Sequence, residues 1–143
     1  MSSPAVHALA LRVYAADTDA SGIVHHAQYL VFAERARTEM LRDHGLALDT
    51  LADVAAGFWV VRGATATYRS SARLDDQVTM LSRVVAVRGA SCDIEQRATR
   101  GNDVLADMRL TVAYLTADGR PRRQPPEWRA RLEALARQAR DAW

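Results

Sequence analysis

The sequence predicts an α+β domain in which a curved antiparallel sheet of five strands covers one long helix. Two changes of pattern lead to this fold class. Apolar residues recur at helical spacing from Tyr29 until Gly45, and the period then falls to about two from Phe58 onward. A second helical stripe follows the proline pair at 125–126. A chain of 143 residues can bury one core of its own. We therefore expect a single domain over residues 1–143.

The first elements follow from local signals. Residues 6–15 predict a strand that enters an Asp-rich turn, where Gly22 allows a backbone conformation that other residues rarely adopt. A helix follows, and its buried face is predicted to consist of Phe32, Ala33, Ala36 and Met40. The charged residues Glu34, Arg37 and Glu39 are interpreted as helix-face ion pairs. Residues 46–57 predict a short helical turn or a loop.

Four strands are then predicted to follow as a meander, with turns at 88–91 and 101–102. The strand beginning near Ser91 alternates apolar and polar residues, which predicts one face in contact with solvent. A last helix buries Trp128, Leu132, Leu135 and Ala139. A five-stranded sheet has two free edges, and pairing between subunits is one way to remove them. The sequence therefore predicts a homo-oligomer.

Composition excludes several classes of function. No apolar run approaches the roughly 20 residues of a membrane span, and the N-terminus lacks the pattern of a secretory signal. Cys92 is the only cysteine, so we expect a structural thiol and a cytoplasmic protein. All 19 basic residues are arginine, which excludes Schiff-base and P-loop lysine chemistry. The arginine-rich C-terminal region is interpreted as a solvated helix face, and we expect no nucleic-acid partner.

Residues 17–29 place two carboxylates, a glycine and two histidines at the predicted start of the long helix. A helix start carries free N–H groups and partial positive charge, which stabilise developing negative charge. Asp19 is therefore a candidate for catalysis or for capping, whereas Asp17 is interpreted as a turn or cap residue. This combination is the outline of a hydrolytic site.

The neighbouring histidines leave several interpretations open. His25 and His26 suit acid–base work, metal binding or simple polar roles, but adjacent residues point to different helix faces and no third ligand is well spaced. We therefore predict no metal site, and favour the backbone N–H of His26 over its ring. A serine hydrolase is excluded because no Gly-x-Ser-x-Gly elbow is present. Arg88 and Ser91 flank a tight turn that suits either a phosphate or solvent.

The chain also resembles a known family. The residues that carry the resemblance are Asp17-Thr18-Asp19, Gly22-Ile23-Val24, His26-Ala27-x-Tyr29, Glu34-Arg35-Ala36-Arg37-Thr38-Glu39-Met40, Val60-Val61-Arg62, Arg88-Gly89-x-Ser91 and Pro121-Arg122. In this order they resemble the hotdog-fold acyl-CoA thioesterases of the YbgC type, within the wider 4-hydroxybenzoyl-CoA thioesterase family. The resemblance covers about residues 8 to 126.

The resemblance implies roles for individual residues. Asp19 matches the essential loop aspartate, the N–H of His26 matches the amide that polarises the thioester carbonyl, and Gly22 matches the turn glycine. Together with Gly22, we expect Tyr29, Arg88 and Ser91 to bind substrate. The family fold places a long helix in a curled sheet, with active sites at dimer interfaces and dimers that commonly pair into tetramers.

The predicted function is hydrolysis of an acyl-CoA thioester to a carboxylic acid and free CoA, without a cofactor. Asp19 acts as nucleophile or as general base, and the sequence leaves both open. One alternative is a non-catalytic hotdog protein that binds acyl-CoA or acyl-carrier protein, or that serves as a scaffold in an envelope-associated complex. Another is hotdog-fold dehydration of a hydroxyacyl thioester.

Overall fold

A computed structural model describes residues 5–46, 57–140 and 143. In chain order its elements are β1 (His7–Arg12), a 3-10 turn (Ala15–Asp17), α1 (Gln28–Asp43), β2 (Phe58–Tyr68), β3 (Gln77–Val87), β4 (Ser91–Arg100), β5 (Asp103–Leu115) and α2 (Pro126–Gln138). The α+β class, with one long helix, five antiparallel strands and a C-terminal helix, is confirmed. The turn or loop predicted at 46–57 lies, except for its two end residues, outside the described residues. No helix in the described part of the chain is long and apolar enough to cross a membrane.

The strand order in the sheet is β1-β3-β4-β5-β2, and every pair is antiparallel. The predicted meander is therefore correct for β3, β4 and β5 but wrong for β2, which pairs with β5 instead of β3. The physical reason is that β1 already occupies the other side of β3, from His7 opposite Ser82 to Arg12 opposite Gln77. Since that edge is filled, β2 takes the free edge of β5. Strands β1 and β2 are consequently the two edges of the sheet.

Helix α1 packs into the core as its periodicity predicted. Phe32, Ala33, Ala36 and Met40 are all fully buried. Phe32, Ala33 and Ala36 join sheet residues such as Met80 in one core cluster. The helix ends before Gly45, whose φ of +76° is the left-handed conformation typical of a helix terminus. The predicted interior of this helix is confirmed.

A second core cluster joins the C-terminal helix to the sheet and to the end of α1. It contains Met40 and Ile94, together with Trp128, Leu132 and Leu135 from α2. Ala139, the remaining residue of the predicted stripe, is also buried. Cys92 lies in the same cluster, and burial raises the pKa of its thiol to about 12. A structural cysteine is confirmed, because such a thiol is protonated at neutral pH.

The alternation predicted for β4 is confirmed except at Ser91 and Asp93, which are buried on the outer face. Ile94, Gln96 and Ala98 are buried against the core. On the opposite face, Glu95 pairs with Arg83 at 2.6 Å. Asp93 belongs to that outer face by alternation but is only 7% exposed, because it is enclosed by ion pairs. The outer face of the sheet is therefore polar yet partly closed.

Candidate active site

The Asp-rich segment forms a tight loop before α1. Thr18 and Val24 pair as an isolated antiparallel bridge, and the N–H of Asp19 donates to the carbonyl of Ile23 at 2.9 Å. Gly22 closes the loop by donating to the Asp19 carbonyl at 3.1 Å. Its φ is +80°, and a Cβ added there would meet no atom within 4 Å. The glycine is therefore needed for backbone conformation and not for space.

Asp19 lies exposed at the tip of this loop. Its Oδ1 accepts hydrogen bonds from the backbone N–H of Ser21, at 2.9 Å, and from the Ser21 hydroxyl. These bonds to Ser21, side chain first, lower the pKa of the Asp19 carboxyl below its usual value. Asp19 is thus ionised at neutral pH. The sequence analysis did not identify Ser21 as a hydrogen-bond partner of Asp19, although a spacing of two residues is typical of such turns.

Asp17 has a different environment from Asp19. It is only 7% exposed, and its carboxylate accepts from the backbone N–H of Tyr14 at 2.8 Å and from the Gln28 side chain at 2.9 Å. Its carbonyl accepts from the N–H of His25 at 3.1 Å. Asp17 therefore joins the 3-10 turn to the first residue of α1. The predicted turn or cap role is confirmed, and Gln28 is a partner that the sequence did not reveal.

The start of α1 presents an open backbone donor. The N–H of Ala27 donates to Nδ1 of His25 at 3.2 Å, whereas the N–H of His26 has no acceptor among the described residues. The rings of His25 and His26 stack with centroids 4.4 Å apart, and both side chains are exposed. No side chain caps α1, so Asp19 acts within its own turn and not as the cap of this helix. An open N–H at a helix start suits a developing negative charge.

The histidines take part in no recognisable metal cluster. Within residues 5–46, 57–140 and 143, no three side chains of His, Cys, Asp or Glu come together in an arrangement that could hold an ion.

Tyr29 lies below this surface. It is 2% exposed, its hydroxyl accepts from the N–H of Ala72 at 3.0 Å, and burial raises the pKa of the phenol. Its ring lies 6.1 Å from that of Phe32 and 5.8 Å from that of Tyr68. These contacts fix the helix start against the segment that follows β2. Contact between Tyr29 and substrate stays a prediction.

Arg88 and Ser91 lie together, but at the opposite end of β3 from the Asp19 loop. Nε of Arg88 donates to the Ser91 hydroxyl at 2.8 Å, and its two Nη atoms donate to the carboxylate of Asp93 at 2.5 and 3.2 Å. Strand β3 has 11 residues and so spans roughly 30 Å. Arg88 and Asp19 of one chain are therefore not brought together, and the proposed phosphate contact stays a prediction.

Asp93 organises the Arg88 turn, and sequence reasoning did not identify it. It also accepts from Arg109 at 3.0 Å and from the hydroxyl of Thr111 at 2.8 Å. Bonds from Arg88 first, then from Thr111 and Arg109, hold the pKa of this carboxyl far below its usual range. Asp93 lies opposite Thr111 because of the register in which β4 pairs with β5, and the sequence alone does not specify that register.

Comparisons with known proteins identify the family of this chain. The model of the thioesterase-like superfamily matches residues 13–136, which include the Asp19 loop, α1 and the whole of β2 to β5. The acyl-CoA thioester hydrolase YbgC of Escherichia coli O6:H1 is 43% identical over 95 residues, covering 66% of this chain and 70% of that protein. The chain belongs to the thioesterase-like superfamily.

Other members of this superfamily show the same likeness. The acyl-CoA thioesterase YbgC of Haemophilus influenzae is 41% identical over 103 residues, which are 72% of this chain and 76% of that protein. The crystal structure of a probable thioesterase from Bartonella henselae has a TM-score of 0.79 and 37% identity, and covers 84% of this chain and 99% of that chain. The resemblance to hotdog-fold thioesterases of the YbgC type is confirmed, and the chain is a thioesterase.

Proposed function

We propose that this thioesterase hydrolyses an acyl-CoA thioester to a carboxylic acid and free CoA, with Asp19 as the reacting carboxylate. The observation that carries the proposal is that an exposed, ionised carboxylate, Asp19, and the open backbone N–H of His26 both belong to the segment that leads into α1. The names of the YbgC relatives from E. coli and H. influenzae support the substrate class. Such an arrangement supplies both an attacking group and a donor for the carbonyl oxygen.

The thioester carbonyl oxygen accepts a hydrogen bond from the N–H of His26. The helix start stabilises the negative charge that develops on this oxygen. In the nucleophilic route an oxygen of Asp19 bonds to the carbonyl carbon and CoA leaves as thiolate, which takes a proton. Water then hydrolyses the resulting anhydride to the acid and restores the carboxylate. In the general-base route Asp19 takes a proton from water while the water oxygen bonds to the carbonyl carbon; the C–S bond then breaks, and the CoA thiolate takes the proton from Asp19.

The lowered pKa of Asp19 supports the nucleophilic route. A carboxylate that binds its proton weakly is a poor base at neutral pH, whereas a nucleophile needs only ionisation and alignment. Rapid-quench mass spectrometry tests this choice. An acyl group on the peptide containing Asp19 supports the nucleophilic route, and its absence at every time point during turnover favours the base route.

Release of free thiol from a panel of short, long and aromatic acyl-CoAs tests the activity itself. Cleavage of at least one of them, lost in Asp19→Asn, is the expected result. Binding of acyl-CoA without cleavage would instead favour the non-catalytic alternative. Loss of water from a hydroxyacyl-CoA without thiol release would favour dehydration.

We also propose that the enzyme is a homodimer formed along β2, and that two dimers form a tetramer. This edge strand has 11 residues and exposes Val61 at 48% and Tyr68 at 44%. Unpaired strand edges of this kind favour pairing with a second chain. In an antiparallel pair, the Phe58 end of one copy lies beside the Tyr68 end of the other. Light scattering coupled to size-exclusion chromatography measures the state, and Val61→Glu is expected to shift it towards monomer.

Such a dimer would also give Arg88 and Ser91 a role. Strand β5 places Ala113 opposite both Ser91 and Val60, so the Arg88 turn lies towards the Phe58 end of the edge strand. Pairing along β2 would bring this turn to the same end as the Asp19 loop of the second copy, where arginine suits a phosphate of CoA. Arg88→Ala is expected to raise KM for acyl-CoA with little change in kcat.

A cytoplasmic location is proposed from the single cysteine, which is buried and protonated. A reducing compartment suits a chain with one thiol. Cell fractionation followed by immunodetection checks this location.

A further inference from the structure

A cavity of about 150 Å³ lies between α1 and the edge strand β2, away from the Asp19 loop. Helix α1 contributes Arg37, Thr38 and Leu41, and β2 contributes Trp59 and Val61. We call it the Arg37 cavity. At the other end of the same helix and strand, the rings of His26 and Tyr68 lie 6.1 Å apart. The helix and the edge strand thus connect the candidate active site with the cavity.

The edge strand is lined by small residues between these two ends. Its register against β5 shifts between Val61 and Gly63, which changes which side chains face the core. Beyond this shift Ala64 pairs with Leu110 and Ala66 with Met108, and paired residues share a face of the sheet. Only methyl groups therefore separate Val61 from Tyr68 on the core side of β2. Ala64 is exposed and Ala66 is half-buried, so larger side chains do not cover this stretch of the strand.

Arg37 is a buried cation with no carboxylate within ion-pair distance among the described residues. Arg37 is 8% exposed, and its Nη1 donates a hydrogen bond to the side-chain oxygen of Gln96 at 3.0 Å. Among the described residues it has no other hydrogen bond and no ion pair, so the predicted helix-face pair is wrong for Arg37. Burial lowers its pKa, but a guanidinium stays charged at neutral pH. A buried charge is stabilised by a partner that satisfies its remaining donors.

Gln96 is itself held in place. Its side-chain nitrogen donates to the carbonyl of Ala33 and to the hydroxyl of Ser82, each at 2.8 Å. The amide oxygen is therefore turned towards Arg37 and supports one of its N–H groups. The remaining donors of the guanidinium fork are left for another acceptor.

Among the described residues, the other walls of the cavity place no hydrogen-bond acceptor within reach of Arg37. They are mainly apolar and include Ile94, Trp128 and Leu132. Trp59 adds a second donor, because its indole N–H is buried and has no acceptor among the described residues. Glu34 lines the rim, and its charge raises the pKa of Arg37, but its side chain is exposed and lies beyond ion-pair distance of the guanidinium. An apolar cavity with two unmatched donors fits a ligand that ends in an acceptor.

We propose that the Arg37 cavity binds a carboxylate at the far end of the acyl group, so that the preferred substrates are ω-carboxyacyl-CoA thioesters. This inference rests on the proposed thioesterase function, with the thioester at Asp19 and His26. The guanidinium fork matches a carboxylate with two parallel hydrogen bonds. From His26 to Arg37 the helix axis rises by about 16 Å, and helical side chains lean back towards the N-terminus. The length of the acyl chain is therefore selected as well as its end group.

The test compares pairs of substrates that differ only in the terminal group. Thiol release is measured for adipyl-, suberyl- and sebacyl-CoA against hexanoyl-, octanoyl- and decanoyl-CoA. We expect kcat/KM to favour the carboxylated member by about tenfold or more at one of these lengths, because the unpaired donors discriminate against an end group that cannot accept. Preference for the plain acyl chain at every length would overturn the proposal.

Arg37→Gln removes the charge and is expected to bring this ratio to about one or below. Arg35→Gln is the matched control, because Arg35 is exposed on the same helix and does not line the cavity. Its ratio should equal that of the unaltered enzyme. An unchanged ratio in folded Arg37→Gln would overturn the proposal.

A binding measurement decides the matter even if Arg37→Gln does not fold or no acyl-CoA is cleaved. Isothermal titration of the unaltered protein with monomethyl suberate and methyl octanoate, which differ only in the free terminal carboxylate, is expected to show binding of monomethyl suberate at least tenfold tighter. Trp59→Phe, which keeps a ring and removes the donor, should weaken the binding of monomethyl suberate severalfold. Equal affinity for the two esters would overturn the proposal. Since this binding requires no turnover, failure of the proposed function would appear separately as absence of thiol release.

Discussion

The Asp19 loop and the Arg88 turn both combine a carboxylate, a serine and a tight turn, yet they treat their polar groups differently. At the Arg88 turn, Asp93 accepts from Arg88, Arg109 and Thr111, so that each donor has a partner. At the Asp19 loop the carboxylate is exposed and the neighbouring N–H of His26 has no acceptor in the described structure. Satisfied polar groups stabilise a fold, whereas open ones at a helix start are available to a ligand.

The largest expected effect comes from Asp19→Asn. The substitution preserves shape but removes the charge, so thiol release from acyl-CoA should fall by about 10²–10⁴-fold. Circular dichroism and thermal melting should show an unchanged fold, because Asp19 is exposed. Asp103→Asn, which changes another exposed turn carboxylate, serves as the control and should keep full activity. Near-full turnover of Asp19→Asn would contradict the proposed chemistry.

Asp93→Asn tests whether the matched polar groups of the Arg88 turn stabilise the fold. Loss of this carboxylate leaves Arg88 and Arg109 without their common partner, and should lower the free energy of unfolding by about 1–3 kcal/mol at neutral pH. Urea unfolding measures this change.

The pH dependence of that effect follows from the lowered pKa of Asp93. A carboxyl whose pKa is lower in the folded state stabilises the protein above its unfolded pKa of about 3.9, and this contribution is lost as the pH falls. The difference between the unaltered protein and Asp93→Asn should therefore narrow below about pH 4. A difference that stays constant from pH 7 to pH 3 would contradict the assignment.

Gly22→Ala is expected to cost about 1–2 kcal/mol, because its φ of +80° is unfavourable for any residue with a Cβ. Thermal unfolding measures the loss, and kcat should fall as well since the loop carries Asp19. Gly89→Ala is the matched control: an added Cβ meets no atom within 4 Å there, and its φ is not positive. Equal stability of the two variants would contradict a conformational role for Gly22.

The smallest effect is expected from His26→Ala. The proposed donor is the backbone N–H, which alanine retains, so thiol release should fall by less than about tenfold. Steady-state kinetics over several acyl-CoAs measure this. A loss as large as that of Asp19→Asn would instead make the imidazole catalytic.

Much of the fold could be predicted because it depends on periodicity and punctuation. The spacing of Phe32, Ala36 and Met40 identified the buried face of α1, and Gly45 marked its end. The place of β2 in the sheet could not be predicted in the same way. The edge that a strand joins depends on which edges other strands already occupy. Here β1, from the start of the chain, pairs with β3, so that β2 joins the free edge of β5.

The candidate site was partly predictable for a similar reason. Asp19, Gly22 and the N–H of His26 lie within a few residues of one another, so a local pattern contains them. Arg37 shows where this reasoning fails, since an arginine at a helical position was interpreted as a surface ion pair. The side chain is buried instead, where it donates to Gln96 and lines a cavity together with Trp59, and both of these residues are distant in sequence.

The sequence by itself therefore determined the order of the elements, the helix interior and the local chemistry of the Asp19 loop. Each of these depends on residues that are close along the chain. Only the tertiary structure decided the edge position of β2, the burial of Asp93 and the burial of Arg37. These features depend on contacts between separate elements, where burial converts an ordinary polar residue into a matched network or an unmatched charge.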